Sequence, residues 1–361
     1  MKLAVLKQRI LFRMPQVINF TLVVVFLLTA GSALAQCIEK ISGSRFETET
    51  LTHEVAEESF GNLSFTSSSY IGGKLKLVVS DCTTPQVTYR KLFKANSLQQ
   101  AEEFAEYIAV EIEELENELA VSVQSKSRPP WSGTNFSGRV DVQIELPANE
   151  ELRIYVRTSS YSIEIYGPFA SVDVSNEFGA IEVAQISRKV KISTDNGKVT
   201  VRDCTGPVTV RTSSRPITLK NVDSKLGTVR LRNAHGKIAL DSVRGEIDAR
   251  TEFASISGTA LAFESGRSKL RTENADIRLE AIEINGDLTL INSHGKIDLE
   301  IPDNTSAEYT LQVDEGGRIY TKDILIKIDR VMQTLVTGSS GGRQNRIDID
   351  MRGVGTITLT G

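Results

Sequence analysis

The stretch RNAHGKIAL (Arg232–Leu240) returns almost unchanged as INSHGKIDL (Ile291–Leu299), and more loosely as STDNGKVTV (Ser193–Val201) and SNEFGAIEV (Ser175–Val183). Each copy holds a threonine or asparagine, a short polar corner, and then an apolar-x-apolar triplet. From Leu152 onward the chain divides into units of roughly 18 to 21 residues. They open as LRIYVRTSS, SVDVSNEFG, KVKISTDNG, PVTVRTSSR, TVRLRNAHG, EIDARTEFA, RSKLRTENA and DLTLINSHG. Every unit carries two triplets about nine residues apart, such as Val190/Ile192 with Val199/Val201, or Val229/Leu231 with Ile238/Leu240. Period-two alternation over three or four residues describes a short strand with one buried face. Glycine or asparagine interrupts each unit before a helical period can develop. Units of this length that cannot bury their own apolar face stack on their neighbours, with strands about 4.8 Å apart. The expected fold is mainly all-β, a parallel β-helix solenoid over residues 151–361.

Just past the first triplet of each unit stand Thr158, Asn176, Thr194, Thr212, Asn233, Thr251, Thr272 and Asn292. In register they form a column whose side chains are expected to hydrogen-bond to one another along the axis, as asparagine ladders do in stacked strands. The outward residue of the same triplet reads Asp173, Lys191, Thr209, Arg230, Asp248, Lys269, Thr289, with opposite charges on several adjacent rungs. Gly197, Gly236 and Gly295 supply backbone freedom at the corner. His235 and His294 then become exposed corner residues with no shared partner, rather than a site.

Residues 1–35 are a separate matter. Lys2, Lys7, Arg9 and Arg13 precede the apolar run INFTLVVVFLLTA and then GSALAQ, the order of a secretory signal cut after Ala35. The apolar run is short for a retained membrane span. Without those four basic residues the processed chain holds 38 basic against 46 acidic residues, a net charge near −8, which argues against nucleic acid as a partner. Gln36 stands before Cys37 where lipid attachment needs a small residue. In an exported protein Cys37 and Cys82 could close a disulfide, stabilising by about 4 kcal/mol in the chain-entropy model. Cys204 reads as a small buried apolar residue. No cysteine has metal-site spacing.

Residues 36–150 form a lead-in with strand-like stretches NLSFTSSSYI, GKLKLVVS, QVTYRKLF and RVDVQIELP. One amphipathic helix is expected from Ser97 to about Glu118. Ser97 and Gln100 make a capping box, and Ala101, Phe104, Ala105, Ile108, Ile112, Leu115 and Leu119 fall on one stripe. Such an element suits a cap over unpaired strand edges at the end of the coil. Trp131, the lone tryptophan, is expected to pack against the coil's end rather than bind sugar.

The lead-in, VDVQIELPANEELRIYVRTSSYSIEIYG (Val140–Gly167), VTVRTSSRPITLKNV (Val208–Val222) and the ending GGRQNRIDIDMRGVGTITLTG (Gly341–Gly361) resemble the bacterial adhesin-like β-helix family, whose domain has no assigned activity. The resemblance covers most of the processed chain and implies an exported envelope or surface protein. Tyr161 and Pro216 depart from the usual corner glycine, which implies distorted corners there.

Enzymatic β-helices need clustered carboxylates. Asp173, Glu164 and Glu182 come closest, yet the column of Glu164 and Glu182 continues as Thr200, Thr218 and Ala239. No nucleophile elbow, phosphate loop, metal-binding histidine pair or dinucleotide fingerprint occurs, and no cofactor is implied. The one pattern that points to a ligand is basic. Arg211, Arg232, Arg250 and Arg271 stand immediately before the threonine/asparagine column on four successive units, with Arg157 earlier in that column. Guanidinium forks suit an anionic glycan or lipopolysaccharide phosphate. Neighbouring Glu252 and Glu273 offer the alternative of neutralising the row. The sequence therefore predicts an exported, non-catalytic binding or scaffold protein of the cell envelope. Its partner is an anionic glycan, lipopolysaccharide or another envelope protein, with no membrane span after signal cleavage. Self-assembly of the coils into a filament is the second reading and a polysaccharide-degrading enzyme the third. Intact-mass measurement of the processed protein is expected to place its first residue near Gln36; a mass retaining Met1 would exclude signal cleavage.

Overall fold

The computed structural model describes residues 37–56 and 60–361. The signal segment and its cleavage point after Ala35 lie outside the described residues. Residues 37–361 form one compact unit, built from short strands that stack in parallel as a β-helix-like solenoid. Val190 pairs with Val208, Val208 with Val229, Val229 with Ile247, and so on down the axis. A second series runs Ile163, Ile181, Val199, Ile217, Ile238, Ile256, Ile277 and Ile297. Both triplets of each unit point inward. Val190, Val199, Val201, Leu231, Ile238, Ile256 and Ile277 are fully buried, so the coil interior is one continuous apolar column.

The threonine/asparagine column is buried at every rung, but its bonds differ from the expected side-chain ladder. Only Thr158 donates to the side chain of Asn176 (2.9 Å). The others reach backbone carbonyls in the preceding corner: Asn176 Nδ2 to Tyr161 O (2.8 Å), Asn233 Nδ2 to Arg215 O (2.8 Å), Thr272 Oγ1 to Ala254 O (2.9 Å) and Asn292 Nδ2 to Ala275 O (2.7 Å). Corner carbonyls are turned out of the strand ladders and wholly or partly shielded, so they take a donor from the column. The same crowding explains the glycines better than backbone freedom does. A Cβ on Gly236 would lie 2.3 Å from Arg215 O and 2.4 Å from Asn233 Nδ2. Of the three, only Gly295 has a left-handed φ, at 133°. Pairing also continues through Tyr161 and on both sides of Pro216, so neither corner breaks the register.

A second corner was not legible. Gln185, Asp203, Asn221, Ser242 and Ala260, one per coil, adopt left-handed φ between 50° and 59°. After this bend Cys204, Val222 and Val243 stack inward on a short third side. Burial pushes the Cys204 thiol up to about 11, consistent with its expected role as a packed apolar group.

The parallel stack begins earlier than residue 151. Asn62–Ser67 pairs with Arg153–Arg157, and Gly72–Val79 with residues 160–166. Outside them lie Glu118–Ser125 and Ser137–Leu146. Order is broken at the other end too. Asn345–Met351 and Thr356–Thr360 insert between the rung at 287–300 and the rung at 307–322.

The expected long helix is a short one. Leu98–Glu106 is helical, capped by Ser97 Oγ accepting from Gln100 N (3.2 Å), while Ile108–Leu115 is a strand antiparallel to Glu118–Ser125. Ile108, Val110 and Ile112 recur at period two, and β-branched residues so spaced favour the hairpin over continued helix. Trp131 is buried, edge-on to Phe104 (centroids 5.1 Å apart) and Tyr107 (6.5 Å). Cys37 and Cys82 are free thiols, which corrects the expected disulfide. Cys37 sits beside Glu49, whereas Cys82 lies just before the strand Gln86–Lys94.

Two charged side chains are buried among the described residues: Glu264, which pairs with Arg244, and Lys91. Its ammonium donates to Ile108 O (2.8 Å) and Ala105 O (3.2 Å), the carbonyls at the helix's C-terminal end. Desolvation, reinforced by Lys126, lowers its pKa from 10.5 to about 8.

Two outcomes follow. Leu231→Asp buries an unpaired charge and is expected to cost about 3 kcal/mol or more. Arg230→Gln, on the outward face, should stay within about 0.5 kcal/mol; equal tolerance in thermal melts would refute the register. For Lys91 the folded pKa lies below the unfolded one, so the unfolded chain holds more protons between pH 8 and 10.5. Stability should therefore rise with pH across that window, by about 3 kcal/mol at most, and the cost is fully present below pH 8. Subtracting the melting profile of Lys91→Met should isolate that slope, and a pH-independent difference would show that the lysine is not desolvated.

Candidate functional site

The four arginines predicted to stack do so. Arg211 faces Arg232, Arg232 faces Arg250, and Arg250 faces Arg271 across successive parallel pairs. Ser193 and Ser175 separate this run from Arg157 in the same column. Most of the row is neutralised. Arg232 donates through Nη2 to Asp248 Oδ2 and through Nη1 to Leu231 O (3.0 Å) and Asp248 O (2.9 Å). Glu273 lies 3.5 Å from Arg250 and 3.1 Å from Arg271, while Glu252 lies 3.7 Å from Arg250. Thus the guanidiniums of Arg232, Arg250 and Arg271 each meet a carboxylate of their own or the next rung, which offsets like-charge repulsion along the stack. Arg211, exposed at the head of the row, forms no ion pair among the described residues. Ion pairs of this exposure are worth about 0–1 kcal/mol each.

On the other side of the corner lies a feature that sequence reasoning missed. The His235 and Phe253 rings stack with centroids 5.1 Å apart and planes inclined by 13°. Phe253 is 56% exposed. Together they form an aromatic ledge over an open cleft of about 520 Å³, lined also by Lys237, Ser257, Asp276 and Arg278. Each ring stands two residues after its column residue, Asn233 or Thr251, so the coil register alone brings them together. His235 Nδ1 lies 3.2 Å from Ser213 O. Asp276 is held by Arg278 (2.6 Å) and accepts from Lys296 N (3.0 Å), while Arg278 also approaches Asp298 (3.6 Å). Lys237 is exposed and has no ion pair among the described residues. The signal was available in the corner column Phe178, Asn196, Ser214, His235, Phe253, Asn274, His294. His294 is exposed with Nδ1 3.3 Å from Glu273 O, a corner residue as expected.

The carboxylates closest to an acid–base constellation are occupied. Glu164 and Glu182 do face each other on adjacent rungs. However, Lys74 holds Glu164 at 2.8 Å and Arg202 holds Glu182 at 3.1 Å. Asp173 is shared by Arg157 and Lys191, each at 3.0 Å. Among the described residues no group of three or more His, Cys, Asp or Glu could hold a metal ion, and no helix is long and apolar enough to cross a membrane.

The profile of the Toastrack DUF4097 family matches residues 96–360. No curated protein matches the chain. Among solved structures it is similar to a candidate adhesin of Parabacteroides merdae ATCC 43184 (10% identity, 86% of this chain and 95% of that one, TM-score 0.30). It is also similar to a candidate cell adhesion protein of Clostridium sporogenes ATCC 15579 (10% identity, 86% and 98%, TM-score 0.24). A candidate lipid-binding protein of Parabacteroides distasonis ATCC 8503 is a third (14% identity, 86% and 96%, TM-score 0.28). Likeness this distant says nothing of what this chain binds.

Proposed function

This chain belongs to the Toastrack DUF4097 family, and we propose that it is an exported, non-catalytic binding or scaffold protein of the bacterial cell envelope, adhesin-like in role. One observation carries the reading. The exposed His235–Phe253 ledge and its cleft share a corner with the arginine row. An aromatic face offers a platform for the apolar face of a ligand ring. Lys237 beside it, and Arg211, Arg232, Arg250 and Arg271 across the corner, supply charge for carboxylate, sulfate or phosphate groups. The ligand class that uses both is an anionic glycan, either free or as the sugar-phosphate part of lipopolysaccharide. A non-catalytic role agrees with the pairing of Glu164, Glu182 and Asp173, which leaves those carboxylates committed to the surface ladder.

Binding of heparin and of lipopolysaccharide is to be measured against salt, because exposed charge contacts are screened beyond about 10 Å at ordinary ionic strength. Phe253→Ala and the double variant Arg232→Gln/Arg250→Gln should each weaken binding about tenfold or more, a loss of at least 1.4 kcal/mol, with melting temperatures nearly unchanged. Melting temperatures that fall while affinity holds would assign the arginines to structure alone. A wild-type protein that binds neither polyanion ends the reading.

A further inference from the structure

The sheet that carries the arginine row runs the whole described length of the molecule, and its two outermost strands are open. At one end Ile108–Leu115 bonds only to Glu118–Ser125; at the other Lys327–Val331 bonds only to Leu335–Ser340, among the described residues. Between them the pairings are continuous, through Asn62–Ser67 and Arg153–Arg157 at the first end and through Asn345–Met351 and Ala307–Val313 at the last. Apart from Ile108 O, which Lys91 occupies, each end therefore presents backbone N–H and C=O groups that no second strand pairs among the described residues, a template for another strand.

The two edges are chemically opposite. Residues 108–118 contain no basic side chain, and Glu111 and Glu113 are exposed beside half-buried Ile112 and 47%-exposed Leu115. The other edge presents Lys327 and Arg330, with Arg318 and Lys322 on the neighbouring end strand. Its one acid, Asp329, lies 3.4 Å from Arg343 and is thereby offset. This edge also bears four exposed apolar residues close in sequence: Leu325 (93%), Val331 (66%), Ile328 (50%) and Met332 (47%).

Strand direction completes the match. Lys327–Val331 is antiparallel to Leu335–Ser340, which is antiparallel to Ala307–Val313, so it runs the same way as the rungs. Ile108–Leu115 runs against them, because its partner Glu118–Ser125 is parallel to the stack. Two copies translated along one axis would thus meet as an antiparallel pair, the pairing with the more favourable hydrogen-bond geometry. Pairing like with like is worse: two Ile108–Leu115 edges oppose glutamate to glutamate, and two Lys327–Val331 edges bring lysine and arginine onto their own copies.

We propose that a second copy of this chain docks its Lys327–Val331 edge onto the Ile108–Leu115 edge, head to tail. Such an interface uses different surfaces on the two copies and does not close on itself, so association proceeds past the dimer. It is independent of whether the corner binds a glycan.

Sedimentation velocity on the purified protein over a range of concentrations should show species larger than a dimer, diminishing as salt rises. Glu111→Lys/Glu113→Lys and Ile328→Glu/Val331→Glu alter exposed residues only, and thermal melts check that each remains folded. Each variant alone should sediment as a monomer where the wild type associates, since each sets like charge against its intact edge. An equimolar mixture of the two should regain association, because every contact between unlike copies is then complementary. Three results would overturn the proposal. One is a wild type that stays monomeric at every concentration, including one that instead co-floats with phosphatidylcholine–phosphatidylglycerol vesicles, which would give the apolar edge to a lipid surface. Another is a Glu111→Lys/Glu113→Lys variant that associates as the wild type does, which would point to paired Lys327–Val331 edges. The third is a mixture of folded variants that remains monomeric. Were either variant unfolded, the wild type's concentration and salt dependence together with Leu325→Glu, which should also weaken association, would decide the matter.

Discussion

The coil depends on one repeated hydrogen bond, from a buried threonine or asparagine to a carbonyl in the corner of the preceding rung. Strand ladders satisfy the flat sides of the coil, but at the corner the backbone turns and its carbonyl points at the buried column residue of the next rung. Leaving such a group unpaired costs about 1–3 kcal/mol, and the cost recurs at every rung. A short side chain with a donor, placed one residue past the inward triplet, removes it. Asn233 does more, since its Oδ1 also accepts from Gly236 N (2.9 Å). This contact fixes where each corner sits relative to the last. Length variation is therefore pushed elsewhere, as in the irregularity between Ser224 and Thr228 and that between Gly258 and Leu261.

With register set from inside, the outer surface is free of that task. Its charges form ladders, such as Lys191 with Asp173 at 3.0 Å and Arg230 with Asp248 at 3.7 Å. Pairs so exposed contribute little each, and none is needed to hold the coil. That separation leaves the arginine row with weakly held partners, whereas Asn233 and Thr251 just behind it hold buried corner bonds. Lys91 lies at the other extreme, a charge kept where desolvation works against it because the helix end needs a donor.

How much could be read from sequence follows the same division. The coil was legible because its interior demands repeat: apolar triplets and the threonine/asparagine column recur in every unit. The arginine row was legible as an array, though not the depth of its neutralisation, since Asp248 reaches Arg232 from the next rung, sixteen residues on. The left-handed bend was hidden because Gln185, Asp203, Asn221, Ser242 and Ala260 share no residue type. The Phe253 ledge was hidden for a related reason: its significance lies in His235, a neighbour only in register. The helix was overextended because Ile108, Ile112 and Leu115 satisfy a helical stripe while Ile108, Val110 and Ile112 satisfy a strand, and only the partner Glu118–Ser125 decides between them.

The ends show what a repeat pattern cannot carry. In a simple solenoid each rung touches only its neighbours, so the terminal rungs are held from one side and open most easily. Here the chain departs from sequential order at both ends. The rung at 62–79 is enclosed between the rungs at 118–146 and 153–166, and the segment 345–360 between those at 287–300 and 307–322. Ile347, Ile349, Met351, Ile357 and Leu359 are consequently as buried as residues mid-coil. The outermost rungs are then continuous in chain with strands on both sides of an inserted one, so opening an end means disturbing the rung beneath it. The exposed edges lie just beyond these interleaved rungs: Ile108–Leu115 and Lys327–Val331 are the outer strands of hairpins whose inner strands, Glu118–Ser125 and Leu335–Ser340, are anchored on them, which is how each edge stays open to another strand while its support is fixed.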